Sequence, residues 1–262
     1  MQYSPKITRS FVPRYYEMDA KGEVTPTTMM ALFEETAANH CVESGWDMFA
    51  LREEGLGWIL IEGNFEMMRY PVNGECFSIS TWLEGARYFY GLRRFEVRGS
   101  GGEVIGRARS LWAFYSIETK RPVPIKKEIL EAWKPDPEKN PVRENPGGHP
   151  PQITKSALPY RVRSVDIDTN GHVNNVRYLE WAIESVNENI RDSYFLSYIE
   201  GRFIHEVVLG QRIKSVSEYS DNKTAAIDCG LGIYAIDPLH GEQRAAACAR
   251  SIWKARKSTT PP

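Results

Sequence analysis

The densest chemistry in the chain lies in Asp168-Thr-Asn-Gly-His-Val-Asn-Asn175. A carboxylate (Asp168), an amide (Asn170) and an imidazole (His172) stand within five residues, around Gly171. Together they can accept a proton, donate one, and hold a water or a carbonyl oxygen by hydrogen bonds. The same string also fits a plain turn at Asn170-Gly171 and a helix cap at Asn174. A fainter copy lies 149 positions upstream, in Asp19-Ala-Lys-Gly-Glu-Val24. Asp, Gly and Val recur, but Lys21 and Glu23 stand where the later copy has Asn170 and His172. One half has kept the polar chemistry and the other has lost it.

The elements that must hold these strings repeat as well. At the same offset Arg14 matches Arg163 and Glu35 matches Glu184. Ala108-Arg-Ser-Leu-Trp112 returns 141 positions later as Ala249-Arg-Ser-Ile-Trp253. Each copy opens with a short extended segment, over 10–16 and 160–165, and then turns into one long helix. Thr25 caps the first helix, with Pro26 at the favoured first position. Met29, Leu32, Phe33, Ala37 and Cys41 share its apolar face. Asn174 caps the second, and Val176, Leu179, Ile183 and Val186 form its stripe. Strand-like runs follow over 58–66, 76–83, 88–97 and 104–117, and again over 203–208, 212–219, 224–233 and 244–254. One helix followed by several antiparallel strands is an α+β pattern, solved by a curved sheet wrapped around a central helix, twice over. The Pro-, Gly- and charge-rich run at 134–158 separates a module at 1–133 from one at 159–262 and reads as an extended linker.

Composition narrows the function classes. With 42% hydrophobic residues and a net charge of −1, the chain can build a core and has no nucleic-acid footprint. The N-terminus lacks an apolar signal core and no stretch approaches a membrane span, so a soluble, cytoplasmic protein is expected. The four cysteines, Cys41, Cys76, Cys229 and Cys248, lie in apolar segments without metal-type pairing and read as reduced and buried.

The Asp-x-Asn-x-His-Val-Asn-Asn string with its helix resembles the acyl-acyl carrier protein thioesterases, tandem hotdog-fold enzymes that hydrolyse the carrier thioester. Arg14-Tyr-Tyr-Glu-Met-Asp19, Leu32 to His40, Gly57-Trp-Ile-Leu60, Arg69-Tyr-Pro71, Arg93-Arg94 and Ser110-Leu-Trp112 carry the likeness through the first half. It implies two tandem hotdog modules and a catalytic set of Asp168, Asn170 and His172 plus a Glu on a later strand. Arg202-Phe-Ile-His-Glu-Val207 places that residue at Glu206, with Val207 where the family often has Cys. Hydrolysis here would then run through activated water, with Glu206 as base, Asn170 and His172 holding water or carbonyl, and Asp168 orienting its neighbours. The helix start at Asn174 offers N–H groups for an oxyanion.

Strand alternation would set Ile204, Glu206 and Val208 on one face and Phe203, His205 and Val207 on the other. That makes Glu206 an inward acid and disfavours a metal site of Asp168, His172, His205 and Glu206; no metal or cofactor is expected. An ion pair of Glu206 with Arg161 or Arg163 is the bland alternative. The family likeness makes the first module a catalytically silent shaper of the acyl tunnel, with Met29, Met30, Phe33, Trp58 and Ile59 as lining and core packing as the alternative. It implies acyl carrier protein as partner, with Arg93, Arg94 and Arg177 as candidates for a basic docking patch. An acyl-CoA thioesterase, a hotdog dehydratase and a non-catalytic acyl-binding regulator are the rivals. A tandem chain either satisfies the usual hotdog pairing internally or forms a homodimer of tandems; the sequence fits both.

Overall fold

The computed structural model describes residues 4–139, 141–154, 156–169, 171–219 and 226–256. The chain divides into two compact units, Met1–Glu144 and Asn145–Pro262.

The first unit runs β1 (Lys6–Phe11), α1 (Pro26–Glu43), α2 (Met48–Glu53), β2 (Leu56–Met67), β3 (Phe77–Arg87), β4 (Tyr90–Arg98), β5 (Val104–Ser116), β6 (Arg121–Pro122) and α3 (Lys127–Trp133). Its antiparallel sheet has the order β1-β3-β4-β5-β2, with β6 paired antiparallel to the end of β5. The second unit runs β7 (Leu158–Arg161), α4 (Asn175–Glu184), α5 (Glu188–Ser193), β8 (Tyr194–Phe203), β9 (Arg212–Tyr219), β10 (Ala226–Ile236) and β11 (Gln243–Ala255). Its order, β7-β9-β10-β11-β8, is the same permutation. Register shifts at Leu60/Glu62, Leu83/Gly85, Ile233/Tyr234 and Ile252/Trp253 bend the strands and let each sheet curve around its helix. Each unit is a hotdog. Trp112 and Trp253, matched in sequence, each donate Nε1–H to the serine two residues back, at 2.8 and 3.0 Å.

Helix starts follow the chemistry of their caps. Thr25 Oγ1 accepts from Thr28 N at 3.1 Å, and Asn174 Oδ1 accepts from Val176 N at 2.8 Å. The face of α1 buries Met29, Leu32, Phe33, Thr36, Ala37 and His40. Phe33 meets Phe65 and Phe95 at ring distances of 6.0 and 5.2 Å, which ties the helix to β2 and β4.

Several expectations need correction. The second helix is shorter than its apolar stripe: α4 ends at Glu184, and Val186 is buried beyond it. Hydroxyls of β9 take its last carbonyls, Ser215 Oγ donating to Trp181 O and Ser217 Oγ to Ser185 O, both at 2.6 Å. The extended starts are β1 and β7, while Tyr15–Glu17 and Ser164–Asp166 are single 3-10 turns. The strand expected at 203–208 lies earlier, as β8. Cys76 is exposed and Cys41 half-buried; only Cys229 and Cys248 are buried. Parts of the run at 134–158, read as an extended linker, are hydrogen-bonded within their own units. Asp136 N donates to Glu84 O, and Glu144 N to Glu62 Oε1. On the other side Arg202 donates to the carbonyls of Asn145, Pro146 and Gly148 at 2.6–2.8 Å. At Gly147 (φ +80°) a Cβ would lie 2.9 Å from the Ala249 backbone, so only glycine fits.

Arg93 is buried rather than part of a surface patch, 4% exposed. Its Nη1 donates to His40 Nδ1 at 3.0 Å and Thr81 Oγ1 at 3.3 Å, and the guanidinium stacks 5.0 Å from the Trp133 ring. Burial, then the Arg93 charge, push the His40 imidazole from 6.5 down to about 4. Its folded-state pKa is depressed, so the unfolded chain binds the extra proton between those values. The stability is complete above about pH 6.5 and lost on descending towards pH 4. At about 1.4 kcal/mol per unit this is roughly 3 kcal/mol. Urea midpoints measured from pH 7 to 4.5 are expected to fall more steeply for the wild type than for His40→Gln; parallel slopes would remove His40 from the account.

Candidate active site

The Asp168 string is a closed loop bridged between Ile167 and Val173. Asp168 N donates to His172 O at 2.8 Å, Gly171 N to Asp168 O at 3.1 Å, and His172 N to Asp168 Oδ1 at 3.4 Å. Gly171 has φ +80°, which an L side chain resists. The first unit repeats this bond for bond. Asp19 N reaches Glu23 O, Gly22 N reaches Asp19 O, and Glu23 N reaches Asp19 Oδ1, at 2.8, 3.0 and 3.1 Å. The aspartate carboxylate therefore builds this loop whether or not an imidazole follows it.

Below the loop sits a buried acid that sequence reading passed over. Asp166, 1% exposed, accepts from Arg163 N and Nη2 at 2.8 and 2.9 Å, and Arg177 Nε lies 3.6 Å away. Burial alone would raise its carboxyl, but the Arg163 hydrogen bonds outweigh that and hold it below the usual aspartate range. Glu17 does the same for Arg14. The signal was present: an acid three residues after each matched arginine.

Glu206 is not on a strand. Ile204 N and His205 N both converge on Ala246 O, at 2.8 and 3.1 Å, so two successive residues share one acceptor and the alternation ends. Ile204, Glu206 and Val208 are exposed, and Val207 is fully buried. The loop over 204–211 is then tied down by Val173 N donating to Val207 O (3.2 Å), Val207 N to the Tyr178 hydroxyl (3.1 Å) and Gln211 N to Val208 O (3.2 Å). It corresponds to 68–75 in the first unit, where Met68 N meets Ile105 O, Val24 N meets Pro71 O and Glu75 N meets Val72 O. Tyr70 thus stands in the place of Glu206.

This loop brings His172 and Glu206 together, with Nε2 3.3 Å from Oε2 and side chains 42% and 62% exposed. Arg163, offered as a partner for Glu206, pairs with Asp166 instead. Asn170 lies outside the described residues. Asn174 is engaged as a cap: Oδ1 holds Val176 N, its carbonyl accepts from Arg177 N, and its own N–H donates to Asp166 O. Those first-turn N–H groups are thus spoken for. The tyrosine oxygen at 178, against Val207, is a second group that sequence reading missed. A half-exposed imidazole–carboxylate pair is suited to taking a proton from water and returning it.

Residues 5–133 match the family described as acyl-ACP thioesterase N-terminal domain, and 151–255 the acyl-ACP thioesterase C-terminal domain. The chain belongs to the acyl-ACP thioesterases. It is 29% identical over 212 residues to oleoyl-acyl carrier protein thioesterase 2, chloroplastic, of Arabidopsis thaliana, covering 72% of this chain and 56% of that one. It is 27% identical over 237 residues to the palmitoyl-acyl carrier protein thioesterase, chloroplastic, of Gossypium hirsutum, covering 83% and 56%. The chain thus spans little more than half the length of these curated relatives. A putative oleoyl thioesterase from Lactobacillus plantarum shares the fold at TM-score 0.88 and 21% identity, covering 97% of this chain and 98% of that one. The 12:0-ACP thioesterase from Umbellularia californica does so at 0.79 and 21%, covering 97% and 99%.

The candidate acyl-lining residues divide. Met29 and Phe33 are buried on α1, and Met30 is half-buried. Trp58 packs on Phe114 and Trp133, at 4.7 and 6.2 Å. Ile59, the next residue along β2, turns to the opposite face and is 38% exposed, so it does not share a lining with Trp58. Of the arginines offered as a docking patch, Arg94 pairs with Glu84 at 2.7 Å, and Arg177 with Glu180 and Asp166. No helix of the described residues is long and apolar enough to cross a membrane.

The matching Asp bonds generate a test. Asp19→Ala and Asp168→Ala should each cost about 1–2 kcal/mol of stability, read by urea unfolding. Only Asp168→Ala should also slow turnover. A large effect on stability from one and none from the other would contradict the shared loop role.

Proposed function

We propose that the protein hydrolyses the thioester of an acyl group carried by acyl carrier protein, releasing a free fatty acid and ending chain elongation. The observation that carries this reading is the His172–Glu206 contact, present in the unit with the polar string and replaced by Glu23 and Tyr70 in the other. Family membership supports the substrate class, and the names of the curated relatives agree with it.

In the proposed reaction Glu206 takes a proton from water as the oxygen attacks the thioester carbon. Asn170 and His172 hydrogen-bond the water or the developing oxyanion. The C–S bond then breaks, and the leaving sulfur takes back the proton that Glu206 accepted. Val207 rules out a cysteine acyl-enzyme at that position, so water is the nucleophile. Asp168 acts through the loop that presents His172. The first unit is catalytically silent, and its apolar interior around Met29, Phe33 and Trp58 contributes to holding the acyl chain. The partner is an acyl carrier protein, and no metal or cofactor enters the scheme.

Hydrolysis should be measured with the purified chain on matched acyl carrier protein and acyl-CoA series from short to long chains. Faster turnover of the carrier-protein series is expected, and Glu206→Gln should lower kcat by on the order of a hundredfold or more. Preference for CoA would move the activity to the acyl-CoA thioesterases. Binding without hydrolysis would make the protein an acyl-binding regulator.

A further inference from the structure

The two units allow the fold to be subtracted from the chemistry. Loop 204–211 and loop 68–75 share three main-chain bonds, from Ile204 and Met68, to Val207 and Pro71, and from Gln211 and Glu75; among the bonds they do not share is one made by a side chain of the helix. In the second unit the buried Val207 N–H donates to the Tyr178 hydroxyl at 3.1 Å. In the first unit both partners are missing together: the counterpart of Val207 is Pro71, which has no N–H, and the counterpart of Tyr178 is Met29, which has no hydroxyl. The residue before that proline is Tyr70, not an acid. The bond thus accompanies the carboxylate.

We infer that Tyr178 is a positioning residue for Glu206, holding its peptide against α4 so that the carboxylate meets His172. The geometry suits this. The Tyr178 ring is only 6% exposed, edge-on to Phe203 at 5.3 Å and tilted against Trp181 at 5.7 Å, so its oxygen has a fixed place. Val207 is anchored from both sides, its carbonyl by Val173 N and its N–H by Tyr178. The exposed Glu206 side chain has little packing of its own, so the adjoining peptide must set its direction. Burial raises the phenol's pKa against the opposing pull of the Val207 N–H, and the charges of Glu206 and Asp168 raise it further.

The inference rests on Glu206 acting as the base, and a double-mutant cycle separates the two ideas. Tyr178→Phe and Tyr178→Met keep the buried volume and remove the oxygen; the second installs the first unit's own residue. Both should lower kcat on an acyl carrier protein substrate on the order of tenfold to a hundredfold, with KM held within about twofold. In a Glu206→Gln background neither should cause further loss, because the group being positioned is already disabled. A merely structural tyrosine would give losses that multiply with Glu206→Gln, and that result overturns the proposal. So does wild-type kcat in both Tyr178 variants while Glu206→Gln is impaired. Full activity in Glu206→Gln alone overturns the assignment of the base, and the proposal with it.

Discussion

The hydrogen bond from Val173 N–H to Val207 O joins two stretches that the sheet alone would leave apart. One is the loop that leads into the helix; the other is the loop that leaves the first long strand. Val24 N–H to Pro71 O makes the same junction in the first unit, at 2.9 Å. Because the junction is main chain to main chain, it tolerates almost any side chain around it. That tolerance is what lets one frame carry Lys21, Glu23 and Tyr70 in one unit, and Asn170, His172 and Glu206 in the other.

The aspartates illustrate how shared geometry redistributes credit. A carboxylate beside an imidazole invites comparison with a catalytic relay. Asp19 makes the same bond to the main chain with no imidazole to serve, so much of the work at Asp168 is loop building. Arg14 with Glu17 and Arg163 with Asp166 close the turn beneath in the same manner. Above these foundations the side chains differ between the units, and Tyr178 is among those that do.

Much of this was legible in the sequence because it is local. Caps at Thr25 and Asn174, glycines at positive φ, and a fixed offset between two strings depend on residues a few positions apart. What was not legible depends on partners far along the chain. Ile204 to Val208 has the look of a strand, but its amides converge on Ala246, some forty residues away, and the alternation fails there. Arg93 reads as a surface arginine until β3, α1 and α3 close over it with Thr81, His40 and Trp133. The early end of α4 likewise depends on serines of β9. In each case a hydrogen-bond partner supplied by tertiary structure overrode a local pattern.

Pro71 sets the two copies apart in the main chain as well as in the side chains. Side chains can be exchanged singly, and an imidazole at 23 or a carboxylate at 70 is one substitution each. The peptide after position 70 would still have no hydrogen to offer, and position 29 would still carry a thioether in place of a phenol. The first copy therefore lacks a piece of scaffolding as well as the imidazole and the carboxylate. A repeated domain without a main-chain donor at such a point keeps the frame while leaving the loop beside it to other side chains.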